Sequence, residues 1–237
     1  MYTGPNIIRD GLIFHVDAAN SRSANGDTWS DLSASANDET YVNDNGLIEY
    51  VSDGPASHYY RNVKQTNSDK YRSNDQVYLD DDFTMIAWVM PLELHASTAN
   101  GILTQHLYSN FKGAGITIRY ISATDFRMSC NTGNGTTRTY QSYYGTTNIK
   151  DKWSYLVLRF IKSTNNLSLW VNGVNEKEIT YAQLNELNYI DLFNWSTNQI
   201  TSSYKPKCRI AMASVYNTAL TDDGIIQNFN ATKTRFY

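Results

Sequence analysis

From Phe83 to Met90 the chain is apolar almost throughout, the pattern of a central strand covered on both faces. Pro91 is expected to end it, because proline cannot donate to a ladder. Trp153 to Ile161 reads as a second strand with Leu156, Leu158 and Phe160 on one face. Leu167, Leu169 and Val171 then alternate with Ser168 and Trp170, and Asn172-Gly173 is the strongest short hairpin signal in the chain. Gly115 to Ile121 and Phe126 to Cys130 predict another hairpin, followed by a polar tip at Asn131–Thr137. Gly11–Val16, Gly46–Val51, Gln76–Leu79, Thr139–Tyr144 and Arg209–Tyr216 complete the predicted strands. One helix is expected. Thr221 is its N-cap, Asp222 and Asp223 favour its first turn, and Ile225, Ile226 and Phe229 share a face. Residues 56–70 are polar and Tyr-rich, with no assignable backbone.

Many strands at regular spacing plus one terminal helix predict an all-β antiparallel sandwich. No composition break divides it, so the expectation is an N-terminal arm at residues 1–10 and a single domain over 11–237. The tails Met1–Arg9 and Thr232–Tyr237 fall outside the predicted core and become candidate docking segments.

Composition narrows the function. Across 237 residues, 20 Lys and Arg against 23 Asp and Glu give a net charge of −3, which argues against nucleic acid as the partner. No apolar run approaches the roughly 18 residues of a membrane span. The N-terminus lacks a basic segment followed by an apolar one, so folding in a cytoplasm is expected. Cys130 and Cys208 share parity with apolar neighbours and are expected to be buried thiols. The four histidines are scattered, and no CxxC or HxxxH pattern is present.

Four segments together carry a resemblance. They are Gly11–Asn20 with Thr28–Ser33; Phe83–Pro91; Trp153–Leu158 with Leu167–Gly173; and Ile210–Lys233. In this order they resemble the concanavalin A-like, laminin-G-like jelly roll. The first and last resemble the versions found in structural proteins of tailed bacteriophages, especially marine ones. The resemblance implies the concanavalin A-like lectin/glucanase fold, closed by a short C-terminal helix. It implies a non-enzymatic virion protein exposed on the particle exterior, a capsid decoration protein, with a tail-fibre or baseplate adhesin for host glycans as the alternative. Other virion proteins, major capsid or tail, are the implied partners; host surface polysaccharide and a second copy of the chain are the others it admits. Relatives often carry an acid where Gly224 stands, so the capping box with Thr221 is expected to be missing here. Residues 56–70 look inserted relative to the compact form.

The candidate chemistry is sparse. Glycan hydrolysis on this fold needs paired carboxylates, about 5–5.5 Å apart for retention. Glu176-Lys177-Glu178 after the hairpin puts two acids on one face, and this reads as a solvated edge. Sugar binding needs an aromatic face with amide and carboxylate groups around it. Tyr140, Tyr143, Tyr144 and Trp195 are the candidates, and Tyr59 and Tyr60 also fall in a loop-like region. Trp29, Trp88 and Trp153 are expected in the core. The resemblance admits a structural Ca²⁺, for which Asp80, Asp81 and Asp82 supply candidate oxygens. His15 and Asp17 share strand parity and are expected to form a buried hydrogen-bonded pair.

Overall fold

The apolar run lies at the centre of a sheet. In the computed structural model it is β8 (Phe83–Glu93), flanked by β13 (Ser154–Ile161) and β17 (Lys207–Tyr216). The structure describes residues 6–237 apart from 26–27, 43–45, 53–57, 64–68, 80–81, 97–99, 106–111, 184–185 and 195–204, and apart from the side chains of 25 and 138–142.

Among the described residues the first sheet continues from β13 through β14 (Asn166–Val171) to the edge strand β15 (Val174–Thr180). On its other side β17 is followed by β6 (His58–Asn62) and β5 (Ile48–Ser52), while β1 (Leu12–Asp17) pairs with the later part of β17. The second sheet runs from the edge strand β12 (Arg138–Tyr144) through β11 (Asp125–Gly133), β10 (Ala114–Ser122) and β9 (Asn100–Thr104). It ends with β16 (Asp191–Leu192), β7 (Lys70–Ser73), β4 (Glu39–Val42), β3 (Thr28–Trp29) and β2 (Ala24–Asn25). All pairings are antiparallel. Leu156, Leu158, Phe160, Met85, Ala87 and Val89 of the first sheet meet Ile116, Ile118, Met128, Cys130 and Leu103 of the second. That contact is the main core.

The first sheet buries its other face as well, which is why β8 carries no polar alternation. Trp88, Tyr155, Val157, Trp170, Met212 and Tyr216 form a second core under α1 (Asp222–Thr232). Ile7, Ile8, Phe229 and Phe236 pack against it. From Asn6 onward both tails therefore pack against the core, where the sequence had placed them outside it. The Ile8 amide donates to Asn228 Oδ1 at 2.8 Å, and the Tyr216 hydroxyl donates to the Ile8 carbonyl at 2.9 Å. Thr221 caps α1, its Oγ1 accepting from the Gly224 amide at 3.1 Å. The acid that would complete the box is missing for a visible reason: a Cβ on Gly224 would come within 2.8 Å of Ile8 Cδ1.

Four other expectations change. Residues 56–70 are not wholly an insertion, since β6 joins β5 to β17 and its Tyr59 and Tyr60 are buried. Gln76–Leu79 forms only an isolated bridge, Val77 to Asn188. Pro91 does not end β8; it faces Cys208, the register slips between Cys208 and Lys207, and the strand continues to Glu93, which faces Lys207. His15 and Asp17 are not paired with each other. His15 Nδ1 bonds Ser214 Oγ at 2.8 Å, and Asp17 is held by Arg235 at 2.9 Å. Both thiols are free and buried; burial pushes Cys130 up to about 12 and raises Cys208 as well.

Candidate functional site

Two sheet edges lose register on the same side of the sandwich. In β12, Tyr140 faces Asn131 and Tyr144 faces Ser129, so β12 advances four residues while β11 advances two. In β15, Asn175 faces Trp170 and Lys177 faces Leu169, which leaves Glu176 as an extra residue. Such bulges bend a strand and re-aim the side chains beside them. Glu176 reaches from the first sheet to the segment after β12. Its carboxylate accepts from the Thr146 amide at 2.7 Å, the Thr147 amide at 3.1 Å and the Thr147 hydroxyl. A Cβ on Gly145 would collide with Glu176 Oε2, so glycine at this position is what admits the carboxylate.

The resulting cleft has a volume of about 500 Å³ and is lined by Tyr143, Tyr144, Arg127, Glu176, Lys177 and Ile179. Tyr143 is half-buried, packs against the main core and meets Tyr181 edge-on at 6.3 Å. The guanidinium of Arg119 lies 4.6 Å from the Tyr144 ring centre, which fixes that ring by a cation–π contact. Arg127 is oriented by Asp125 at 2.7 Å. The cleft therefore presents aromatic surface beside a guanidinium and an ammonium, with the Glu176 carboxylate already bound to the Thr146 and Thr147 amides. These are the groups that hold a polyhydroxylated ligand by stacking and hydrogen bonds.

Of the residues singled out in the sequence, Tyr143 and Tyr144 come together here. Tyr140 lies in β12, but its side chain, like Trp195, Asp80 and Asp81, is outside the described residues. Tyr59 and Tyr60 are core residues and present no face to a ligand. Trp29 and Trp88 are buried as expected, while Trp153 is half-buried. Asp82 Oδ1 accepts from the Lys162 amide at 2.7 Å and so ties the start of β8 to the turn after β13. Among the described residues no group of three or more His, Cys, Asp or Glu is placed to hold a metal ion. Arg127, Lys177 and the role of Glu176 were missed. Alternation across an unbroken strand puts Glu176 and Glu178 on one solvated face, and the bulge that overrides it leaves no mark in the residue pattern.

A second polar cluster is closed to solvent. Asp191 accepts from Lys70 Nζ at 3.0 Å and from Arg72 Nε at 2.7 Å, with Lys70 and Asp191 both buried. Lys205 Nζ donates to the Asp69 carbonyl, and burial with Lys70 nearby lowers its pKa to about 7. Glu39, opposite Trp29 in the β3–β4 pair, is fully buried, and neither carboxylate oxygen has a hydrogen-bond partner among the described residues. Burial pushes its carboxyl well above the usual range; Asp191 adds to this and Arg72 opposes it. The cluster shapes stability.

The Laminin_G_3 family, described as the Concanavalin A-like lectin/glucanases superfamily, matches residues 65–226. The chain belongs to this superfamily. No curated protein matches it. Among solved structures it is similar to the Trypanosoma rangeli sialidase in complex with the inhibitor DANA (14% identity, TM-score 0.65), with 98% of this chain and 34% of that one covered. It is also similar to the binding domain of Paraclostridial Mosquitocidal Protein 1 (16% identity, TM-score 0.60; 94% and 52% covered). The receptor binding domain of Botulinum Neurotoxin Type G is a third (12% identity, TM-score 0.60; 93% and 51% covered). The chain spans about a third to a half of the length of these proteins. At such identities the likeness concerns the antiparallel sandwich alone, because one fold hosts many functions.

Proposed function

We propose that this chain is a non-catalytic, lectin-type binding domain whose cleft between β12 and β15 takes a glycan. The observation that carries the reading is the pair of register slips that bring Tyr143, Tyr144, Arg127 and Glu176 to one cleft of about 500 Å³. Glu176 is a positioning group in this reading, since its carboxylate is committed to the Thr146 and Thr147 amides. Glu178 accepts from Asn166 and Asn175 and lines no part of the cleft. Neither acid is arranged to protonate a leaving group while the other attacks. A glycan array tests the reading. The parent protein is expected to retain a defined set of glycans and Tyr144→Ala to retain them more weakly; an array blank for the parent would refute it.

The setting we propose is the exterior of a bacteriophage particle. Its support is the resemblance of Gly11–Asn20 and Ile210–Lys233 to tailed-phage structural proteins. A capsid decoration protein and a fibre or baseplate adhesin both fit a surface lectin-type domain, and labelling the chain in intact particles separates them. Label over the head lattice supports decoration, label at fibre tips supports the adhesin, and particles without the chain would refute both.

A further inference from the structure

A second cavity, of about 300 Å³, opens where the N-terminal arm crosses the end of α1, away from the cleft. Its apolar floor includes Ile7, Leu32 and Met212, and its polar wall includes Arg9, His15, Arg22 and the Asp17 carboxylate. The arm is clamped by Asn228 and Tyr216 at Ile8, which sets the position of Arg9 next to it. Arg22 sits in a turn closed by Asn20, whose Oδ1 accepts the Arg22 amide at 3.0 Å and whose carbonyl accepts the Ser23 amide at 2.8 Å. Both guanidinium groups therefore stand on fixed backbone.

The charge at this cavity is unbalanced. Asp17 is engaged by Arg235 at 2.9 Å, and Asp31 accepts from the amides of His15, Ser33 and Asn37. Neither Arg9 nor Arg22 has an acidic partner among the described residues. His15 gives Nδ1 to Ser214, and its Nε2 has no partner among the described residues. Burial pushes its pKa down, so the ring is neutral at pH 7 and serves as a hydrogen-bonding group. In a chain of net charge −3 this is a cationic cavity with an apolar floor.

We propose that the cavity is a second binding site, for a compact carboxylate-bearing ligand of the acidic-monosaccharide class, with Arg9 and Arg22 holding the carboxylate. A guanidinium matches a carboxylate through two parallel hydrogen bonds, and this geometry distinguishes it from a bare positive charge. The volume is at the small end of ligand pockets, which suits one sugar residue and not a chain. Ile7, Leu32 and Met212 supply the surface on which the ring lies, and Asn6, Asn20 and His15 face its hydroxyls.

The test is an NMR titration of the isotopically labelled full chain with glucuronate, glucose, acetate and a trisaccharide ending in glucuronate. Glucuronate is expected to shift resonances of Arg9, Arg22 and His15, while glucose and acetate shift them at least tenfold more weakly. Arg9→Gln with Arg22→Gln is expected to weaken glucuronate at least tenfold with an unchanged melting temperature, since both side chains are exposed. Tyr144→Ala is expected to leave glucuronate binding intact, so this result and that of the cleft are read separately. A trisaccharide that binds as well as free glucuronate assigns the site to a chain terminus; a weaker one assigns it to the free sugar. No shift at the cavity, equal binding of acetate, or full affinity in the double variant would overturn the proposal.

Discussion

Trp88 and Phe236 are stacked, with ring centroids 4.1 Å apart and planes inclined by 22°. The Trp88 indole also donates to Thr232 Oγ1 at 2.8 Å. A residue at the centre of β8 and one next to the C-terminus thus close the second core together. Phe236→Ala is expected to lower stability by about 2 kcal/mol, less than for a fully enclosed aromatic because Phe236 is half-buried. Denaturant unfolding monitored by tryptophan fluorescence measures this. A midpoint equal to the parent's would mean that the tail is dispensable.

The hairpin between β14 and β15 turns on two residues of positive φ, Asn172 at 53° and Gly173 at 81°. Valine is strongly disfavoured in that region, and a Cβ at Gly173 would also come within 3.1 Å of Phe229 Cδ1. Gly173→Val is therefore expected to cost more than about 1 kcal/mol, through strain at the turn and displacement of α1. Thermal melts of the two proteins decide it, and coincident curves would contradict the turn geometry.

Glu39 gives the stability a pH dependence of known sign. Its folded pKa is raised by burial, so the native state keeps a proton that the unfolded chain has released above about pH 4.3. Its contribution is fully present below that value and is lost as pH rises towards the folded pKa. Glu39→Gln removes the titration. The variant is expected to gain stability relative to the parent as pH rises from 4 to 7. Unfolding free energies measured across that range test this, and a constant difference between the two proteins would contradict it.

Much of this was readable in the sequence. Apolar runs and alternation located β1, β8, the β10–β11 hairpin, β13, β14, β17 and α1, because each buries a face; β5 and β15, which are mostly exposed, were located by the turn signals beside them. β2, β3, β4, β6, β7, β9 and β16 were missed; they are short, and several bury polar residues too, as Glu39, Asn62, Lys70, Asn100, Thr104 and Asp191 show. Of the cleft, Tyr143 and Tyr144 were legible as aromatics beside a polar loop. Its other side was not, because Glu176 lies in a bulge, and bulges follow from how two strands meet and not from the order of residues in either.

Gly145 and Glu176 are coupled across that gap. Gly145→Ala is expected to push the Glu176 carboxylate off the Thr146 and Thr147 amides, costing about 1 kcal/mol in stability and weakening glycan affinity several-fold. Calorimetric titration alongside thermal melts measures both. An unchanged affinity would show that the segment after β12 takes no part in binding.

A glycan seated between β12 and β15 is seen by mapping its contact. A glycan retained on the array is titrated into isotopically labelled protein while backbone and aromatic resonances are followed. Saturable shifts are expected to concentrate at Tyr143, Tyr144, Arg127, Thr146 and Glu176, with affinity reduced roughly five- to tenfold in Tyr144→Ala, the loss of about 1 kcal/mol of stacking. Shifts confined to another surface, or an affinity unaffected by Tyr144→Ala, would contradict it.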